Sequence, residues 1–208
     1  MPTIEQARRW YSEDDPVHGF DHILRVYLLA ERLGVKEGAD LDILRAAVLL
    51  HDAGDHTRSR GDHQLASADF ARQVLLKEGW DEKSILAVQH CIRAHRFRDR
   101  REEPVTIEAQ VLFDADKLDA IGAIGVARAI AYAVRAGNPP YAPVSPQFLQ
   151  TGKTEPGEAH SAYHEFLFKL IRIKDRMYTS SGKEMAEQRH VFMEAYFARL
   201  AAEIQGEE

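Results

Sequence analysis

Hydrophobic residues recur at helical spacing along most of the chain. In the segment from Asp21 to Gly34, apolar residues stand at positions 23, 26, 27, 30 and 33, the spacing of a helix with one buried face. Asp40 is placed to cap a third helix, which ends at His51. Thr106 is placed to cap a long helix whose apolar residues continue as far as Ile121. The same criteria predict further helices over 3–11, 62–78, 81–94, 162–178 and 183–204. The pattern predicts an all-α fold.

No internal repeat, low-complexity tract or linker interrupts this pattern. We therefore expect residues 1–208 to form a single domain, which 208 residues are enough to fill. The stretch 137–160 holds five of the eight prolines and is predicted to be an irregular loop, long for a compact domain. It is either a lid or wall over a functional site or a mobile insertion.

Composition narrows the class of protein. Hydrophobic residues make up 45% and charged residues 29%, as in soluble globular proteins. The net charge of −6 argues against sequence-independent binding to long nucleic acid, although a small anion remains compatible. There is no signal-like apolar segment and no stretch of 18 apolar residues, and Cys91 is the only cysteine. These features predict a cytoplasmic protein without a membrane partner.

The run Ala46–Leu50 ends abruptly in His51 and Asp52. An ionised carboxylate at the end of a buried helix must be paired, hydrogen-bonded or bound to a metal, because burying it alone costs several kcal/mol. A metal would need further ligands, such as His22 at the start of the second helix and an aspartate from the segment 114–119. His22 could instead cap its helix. Periodicity does not choose between Asp114 and the pair Asp116 and Asp119, since both stripes contain apolar residues.

The order His, His-Asp and late Asp resembles the HD-domain superfamily of metal-dependent phosphohydrolases. Three segments resemble one bacterial branch of this superfamily, the YedJ/YpgQ-like HD proteins: residues 19–26, which contain His22, residues 114–125, and the tail 164–203. The resemblance implies a single-domain HD-type helical bundle that binds one divalent ion. The implied ligands are His22, His51, Asp52 and Asp116, the last because it matches the family's Ala-Asp-x-Leu pattern. Two imidazoles and two carboxylates suit manganese, iron, nickel, cobalt, zinc or magnesium.

The resemblance also implies catalytic and substrate residues. Asp55 matches an acidic residue that can accept a proton from the attacking water, although in the family it is often Glu; its alternative role is helix-end capping or a salt bridge. His90 and His95 are candidates to protonate the leaving group or contact phosphate. The candidates for substrate contact are Arg58, Lys117, Asp119 and Lys169, and Asp119 could instead hold a ligating histidine. Most charged runs are ordinary solvated surface, which is the alternative for these basic residues.

The function implied is hydrolysis of a phosphoester or phosphoanhydride in a nucleotide, with a water that the metal activates. A nucleoside triphosphate pyrophosphohydrolase is favoured. A 5′-nucleotidase or cyclic-nucleotide phosphodiesterase is the alternative, and a metal-bound nucleotide sensor without turnover is a third possibility. Asp55 favours the enzyme, because a sensor does not need a proton acceptor. The expected partner is a small phosphorylated molecule.

Overall fold

A computed structural model describes residues 1–11, 19–54, 63–96 and 101–207. These ranges contain α-helices and two short 3₁₀ turns and no β-strand, so the predicted all-α class is confirmed. None of their helices is long and apolar enough to cross a membrane. The helices are α1 (Ile4–Arg8), α2 (Phe20–Glu37), α3 (Leu41–Leu50), α4 (His63–Lys77), α5 (Glu82–Ala94), α6 (Ile107–Leu118), α7 (Gly122–Arg135), α8 (Pro146–Thr151), α9 (Ala162–Phe168) and α10 (Ser180–Gln205).

The chain divides into two compact units. The first unit comprises Met1–Lys117 with Tyr178–Gly182, and the second comprises Leu118–Met177 with Lys183–Glu208. Each unit is helical throughout its regular elements. The prediction of one domain over 1–208 stays a prediction.

Helix α3 is the centre of the first unit. Its last five residues, Ala46–Leu50, are at most 1% exposed, and apolar residues of α2 and α5 are buried with them. Each large apolar side chain buried in this way contributes about 1.5–3 kcal/mol. Asp40 begins α3 as predicted, since its side chain accepts hydrogen bonds from the N–H groups of Asp42 and Ile43. A well-packed helix therefore delivers His51 and Asp52 to a fixed place.

The predicted end of α2 at Gly34 is wrong. The helix continues to Glu37 and ends at Gly38, which adopts the left-handed conformation at φ 71°. Gly34 is buried within the helix, and a Cβ there would lie 2.6 Å from a methyl group of Leu44 in α3. The glycine thus permits close packing of α2 and α3 and does not end the helix.

The predicted length of the helix after Thr106 is also wrong. Helix α6 ends at Leu118, Ile121 is extended, and α7 begins at Gly122, where φ is 77°. Only glycine adopts that φ readily. Leu118 and Ile121 are both buried, which is why a continuous apolar stripe concealed the break.

The C-terminal part of the second unit corrects two further expectations. The helix predicted over 162–178 stops at Phe168 and is followed by 3₁₀ turns at Leu170–Arg172 and Lys174–Arg176. The stretch 137–160 is not wholly irregular, because it contains α8. The segments on either side of α8 are joined by Glu158, whose carboxylate accepts hydrogen bonds from the N–H and hydroxyl of Ser145 and from the N–H of Glu155. Whether this stretch forms a lid stays a prediction.

Candidate metal centre

His51 and Asp52 stand directly after α3 and point buried acceptor atoms into the first unit. The Nδ1 atom of His51 lies 2.7 Å from the carbonyl oxygen of Val48, and since a carbonyl only accepts, the neutral ring carries its proton on Nδ1 and a lone pair on Nε2. His51 Nε2 lies 3.7 Å from Asp52 Oδ2. Among the described residues, His51 Nε2 and Asp52 Oδ1 have no hydrogen-bond partner although both atoms are buried. Leaving such atoms unsatisfied costs about 1–3 kcal/mol each, so the pair fits a bound cation.

Helices α2 and α6 bring the other two predicted ligands to this point. His22 is 3% exposed, and its ring centroid lies 5.7 Å from that of His51. Asp116 places Oδ1 3.4 Å from His22 Nε2, and its other oxygen accepts from the ammonium of Lys117. Ligand atoms of His22, His51 and Asp52 lie within 4.8 Å of one another, close enough to hold a metal ion. The first unit thus gathers all four predicted ligands.

Burial and neighbouring charges determine the ionisation of the two carboxyl groups. Burial raises the pKa of Asp52, but the imidazoles of His51 and His95 outweigh it and hold that pKa well below its usual range. Burial likewise opposes ionisation of Asp116, yet Lys117 and His22 keep its pKa well below the ordinary value. Burial lowers the pKa of His95 to about 4, so this ring is neutral at pH 7. Carboxylates and imidazoles together suit a divalent cation.

A second pair of histidines lies against Asp52. His95 follows α5, is 3% exposed, and places Nε2 3.6 Å from Asp52 Oδ1. His63, the first residue of α4, places Nε2 3.8 Å from the same oxygen. His95 was predicted at the site, whereas His63 was not, although the clustering of His51, His56 and His63 in the sequence was a signal for it.

Asp114 and Asp116 on α6 have different surroundings. Asp114 is fully buried and accepts hydrogen bonds from the N–H groups of Tyr178 and Thr179 and from the Thr179 hydroxyl. These bonds hold the chain just before α10. Asp114 therefore has a structural role, and Asp116 is the aspartate that lies beside His22.

Contacts with other side chains engage several of the remaining predicted residues. His90 Nδ1 lies 2.6 Å from Glu102, and His90 Nε2 accepts from the N–H of Val105, an arrangement that favours a structural role for His90. In the second unit, Asp119 pairs with Arg128 at 2.6 Å and Lys169 with Glu165 at 2.8 Å.

The roles assigned to the predicted catalytic and substrate residues stay predictions. Lys117 is the predicted substrate residue that stands at the site, through its contact with Asp116. Asp55 and Arg58 lie outside the described residues. In its neutral form His95 carries its proton on Nδ1, which faces the carbonyl of Ile92, so its Nε2 is an acceptor.

Two contacts fix the end of α3 that carries the site. The hydroxyl of Tyr11 donates to the carbonyl of Leu49 at 3.0 Å. The N–H of Gly54 donates to the hydroxyl of Ser67 on α4, and a Cβ on Gly54 would lie 2.4 Å from the Ser67 backbone nitrogen. Only glycine allows α4 to approach so closely behind Asp52.

Comparison with known proteins identifies the family of the chain. The HD domain family model matches residues 19–121. YpgQ of Bacillus subtilis, an uncharacterised protein, is 35% identical over 213 residues that cover 99% of this chain and 96% of YpgQ. The crystal structure of YpgQ in complex with ADP is 34% identical, with a TM-score of 0.75 over 99% of this chain and 100% of that one. An HD-superfamily hydrolase from Bacillus thuringiensis is 29% identical, with a TM-score of 0.76 over 97% and 94% of the two chains. The chain therefore belongs to the HD-domain superfamily, in its YpgQ-like branch.

Proposed function

We propose that the protein is a metal-dependent phosphohydrolase that acts on nucleotides, with nucleoside triphosphate pyrophosphohydrolysis as the favoured reaction. The observation that carries the proposal is the pair of buried acceptor atoms, His51 Nε2 and Asp52 Oδ1, without hydrogen-bond partners among the described residues. His22 and Asp116 stand beside them. A resident cation explains why these polar atoms are buried together.

His22, His51, Asp52 and Asp116 would hold the divalent ion. When bound, such an ion polarises a phosphate oxygen and lowers the pKa of a water molecule, so that hydroxide forms near neutral pH. The protein contributes the orientation, because the Val48 carbonyl fixes the His51 ring with Nε2 facing the site. Asp55 is proposed to accept the proton from the attacking water, since it stands three residues after Asp52, where the resemblance to the family implies an acidic residue.

The substrate is proposed to be a nucleotide that carries more charge than a monophosphate. The complex of the relative YpgQ with ADP supports a nucleotide with a phosphate chain. Lys117 lies at the proposed metal centre, where its ammonium contacts Asp116. It is therefore placed to neutralise a phosphate oxygen. One charge-assisted contact contributes about 1.5–3 kcal/mol, and 1.4 kcal/mol is a factor of ten. We therefore expect kcat/KM for triphosphates to exceed that for monophosphates at least about tenfold.

A hydrolysis screen with added Mn²⁺, Co²⁺, Ni²⁺, Zn²⁺ or Mg²⁺ tests the proposal, with each nucleotide and each released phosphate species identified. We expect nucleoside triphosphates to yield the monophosphate and pyrophosphate, and chelation to abolish turnover. Orthophosphate released from a monophosphate would establish the nucleotidase instead. Metal and nucleotide binding without turnover would establish a sensor.

Variants connect any activity with the site. His51→Ala and Asp52→Ala are expected to lose the divalent ion and turnover together, because each removes a ligand atom that the fold has buried. Lys117→Gln is expected to raise KM for triphosphates about tenfold, the value of one such contact. The matched change Lys169→Gln tests the predicted contact in the second unit, where Glu165 pairs with that ammonium. Wild-type metal affinity in both ligand variants would show that the assignment is wrong.

A further inference from the structure

Helices α2 and α3 form an antiparallel pair whose two ends are held differently. At one end a short turn joins the helices, and a Cβ on Gly34 would lie 2.6 Å from a methyl group of Leu44. At the other end early α2 meets late α3, and the ring centroids of His22 and His51 lie 5.7 Å apart. The chain does not connect the helices at this open end, formed by residues 20–22 and 49–52. Side-chain contacts must therefore set the separation of the ligands there.

Tyr11 contacts both helices at the open end. Its hydroxyl donates to the carbonyl of Leu49, in the last turn of α3, at 3.0 Å. Its ring packs against the ring of Phe20, the first residue of α2, with centroids 5.9 Å apart. Tyr11 and Phe20 are both buried. Leu49 stands two residues before His51, and Phe20 stands two residues before His22, so one side chain reaches both segments that carry ligands.

The bond to Leu49 satisfies one carbonyl at the end of α3. The last carbonyls of a helix have no N–H partner within it and need other donors. In α3 the donors are Nδ1 of His51 for Val48, the Tyr11 hydroxyl for Leu49 and the N–H of Ala53 for Leu50. Removal of the Tyr11 hydroxyl would take the donor from a buried carbonyl in the same turn that orients the His51 ring.

The segment that carries Tyr11 is anchored on a different helix. The ring of Trp10 lies edge to face with that of Phe70 on α4, with centroids 5.5 Å apart. The amino group of Met1 pairs with Glu78, the residue after α4, at 2.9 Å. Tyr11 is therefore held from outside the α2 and α3 pair, and it can limit how far the open end widens.

We propose that Tyr11 is a positioning residue for the metal centre, which sets the separation between the ligand that α2 carries and those that follow α3. Its ring holds α2, and its hydroxyl holds α3. The hydroxyl keeps its proton, because burial and the nearby Asp52 carboxylate raise the pKa of Tyr11 well above its usual range. The role rests on the metal centre of the proposed function, but it does not depend on hydrolysis.

Loss of either contact should weaken metal binding. A divalent ion binds imidazole nitrogen and carboxylate oxygen at about 2.0–2.2 Å, so ligands that move apart hold it less tightly. Replacing an outer partner of a ligand lowers metal affinity by about 10- to 100-fold. Since Tyr11 acts through the backbone of α3, we expect the lower value, a rise of about tenfold in the Kd for Mn²⁺, in Tyr11→Phe. Phe20→Leu, which removes the ring contact, should have a similar effect. The double variant should lose less than the product of the two changes, because both release the same end.

Calorimetric titration of the metal-stripped full chain with Mn²⁺ tests the proposal, together with urea unfolding of the metal-free protein. Tyr27→Phe is the matched control, because Tyr27 lies on α2 and its hydroxyl faces Arg45 in the middle of the helix pair. Each variant loses one hydroxyl, and we expect similar unfolding midpoints. Only Tyr11→Phe should bind Mn²⁺ more weakly. Its Mn²⁺ electron paramagnetic resonance spectrum should also broaden, since the ligands are held less uniformly.

A Kd for Mn²⁺ within about twofold of wild type in Tyr11→Phe would overturn the proposal. Equal weakening in Tyr27→Phe would also overturn it, because the effect would then be one of general stability. If Tyr11→Phe fails to fold, Phe20→Leu decides, and an unchanged Kd there would overturn the proposal. Wild-type protein that binds no Mn²⁺ would refute the metal centre and the role of Tyr11 together. Tight binding without hydrolysis would refute the hydrolase alone.

Discussion

Replacing Asp114 by asparagine should destabilise the first unit without affecting the metal. The two side chains have the same shape, but asparagine is neutral and presents an NH₂ group where aspartate presents an oxygen. Asp114 accepts hydrogen bonds from Tyr178 N–H at 2.9 Å, Thr179 N–H at 2.8 Å and the Thr179 hydroxyl at 2.7 Å. All three donors therefore depend on one fully buried carboxylate.

The size of the effect follows from these bonds. If the amide oxygen of the variant faces Thr179, its NH₂ group faces the N–H of Tyr178 and one charge-assisted bond is lost. Such a bond is worth about 1.5–3 kcal/mol, and the two bonds to Thr179 weaken because the acceptor is neutral. We expect the free energy of unfolding to fall by about 3 kcal/mol. With an m-value of about 2–3 kcal/mol per molar urea, the midpoint of unfolding should fall by about 1 M.

Tryptophan fluorescence during urea unfolding of the metal-free protein measures this change. The chain has two tryptophans, Trp10 and Trp80, and both lie in the first unit, as Asp114 does. Thr179→Val removes a hydroxyl that donates to Asp114 and accepts from the N–H of Gly182, and should cost about 2 kcal/mol. Combined with Asp114→Asn it should cost less than the sum of the two, because Asp114→Asn already weakens the bond that Thr179→Val removes.

Asp116→Asn is the matched control on the same helix. It should leave the metal-free unfolding midpoint within about 0.4 M of wild type, roughly 1 kcal/mol, and abolish tight binding of the metal. Asp114→Asn should bind the metal as wild type does under folding conditions. An unchanged midpoint for Asp114→Asn, or metal loss in that variant and not in Asp116→Asn, would refute the assignment of the two aspartates.

Three further predictions concern the site and the second unit. Asp55→Asn should lower kcat roughly 100-fold, the scale of general-base catalysis, with unchanged metal content; an unchanged kcat would return Asp55 to a structural role. Gly54→Ala should weaken metal binding measured by calorimetry, since its Cβ would lie 2.4 Å from the Ser67 backbone. Burial raises the pKa of Glu158, but the Glu155 N–H and His164 outweigh it and lower this pKa to about 2. A carboxyl group whose pKa is lowered in the folded state stabilises the fold at pH values above its ordinary pKa of 4.5, and this stabilisation is lost as pH falls. Acid unfolding followed by circular dichroism should therefore show a smaller loss of stability between pH 4.5 and 2 in Glu158→Gln than in wild type.

The all-α class and most helix positions could be predicted from the sequence because they depend on local properties. Apolar spacing marks the buried face of α3, and Asp40 and Asp81 cap their helices by bonding to N–H groups two or three residues away. Local pattern failed where a break leaves the apolar spacing intact, as at Gly122, or where a glycine serves packing between helices, as at Gly34.

The composition of the site shows the same division. The order His22, His51, Asp52 and Asp116 can be seen in the sequence through its resemblance to the HD-domain family. Periodicity alone does not show which aspartate of α6 faces His22, because Asp114 and Asp116 both lie on stripes with apolar residues and differ in their distant partners. Tyr178 and Thr179, more than 60 residues away along the chain, engage Asp114 and leave Asp116 beside His22.

Only the tertiary structure shows which of His63, His90 and His95 lie at the site. Sequence placed His90 on the helix predicted over 81–94 and His95 directly after it, and could not separate their roles. In the fold, Glu102 and the Val105 N–H engage His90, whereas His95 lies on Asp52 with His63 from the beginning of another helix. Local sequence determines which residues form a helix and where its buried face lies. The partners of a polar side chain depend on which helix ends meet, and packing between segments far apart in the chain determines that.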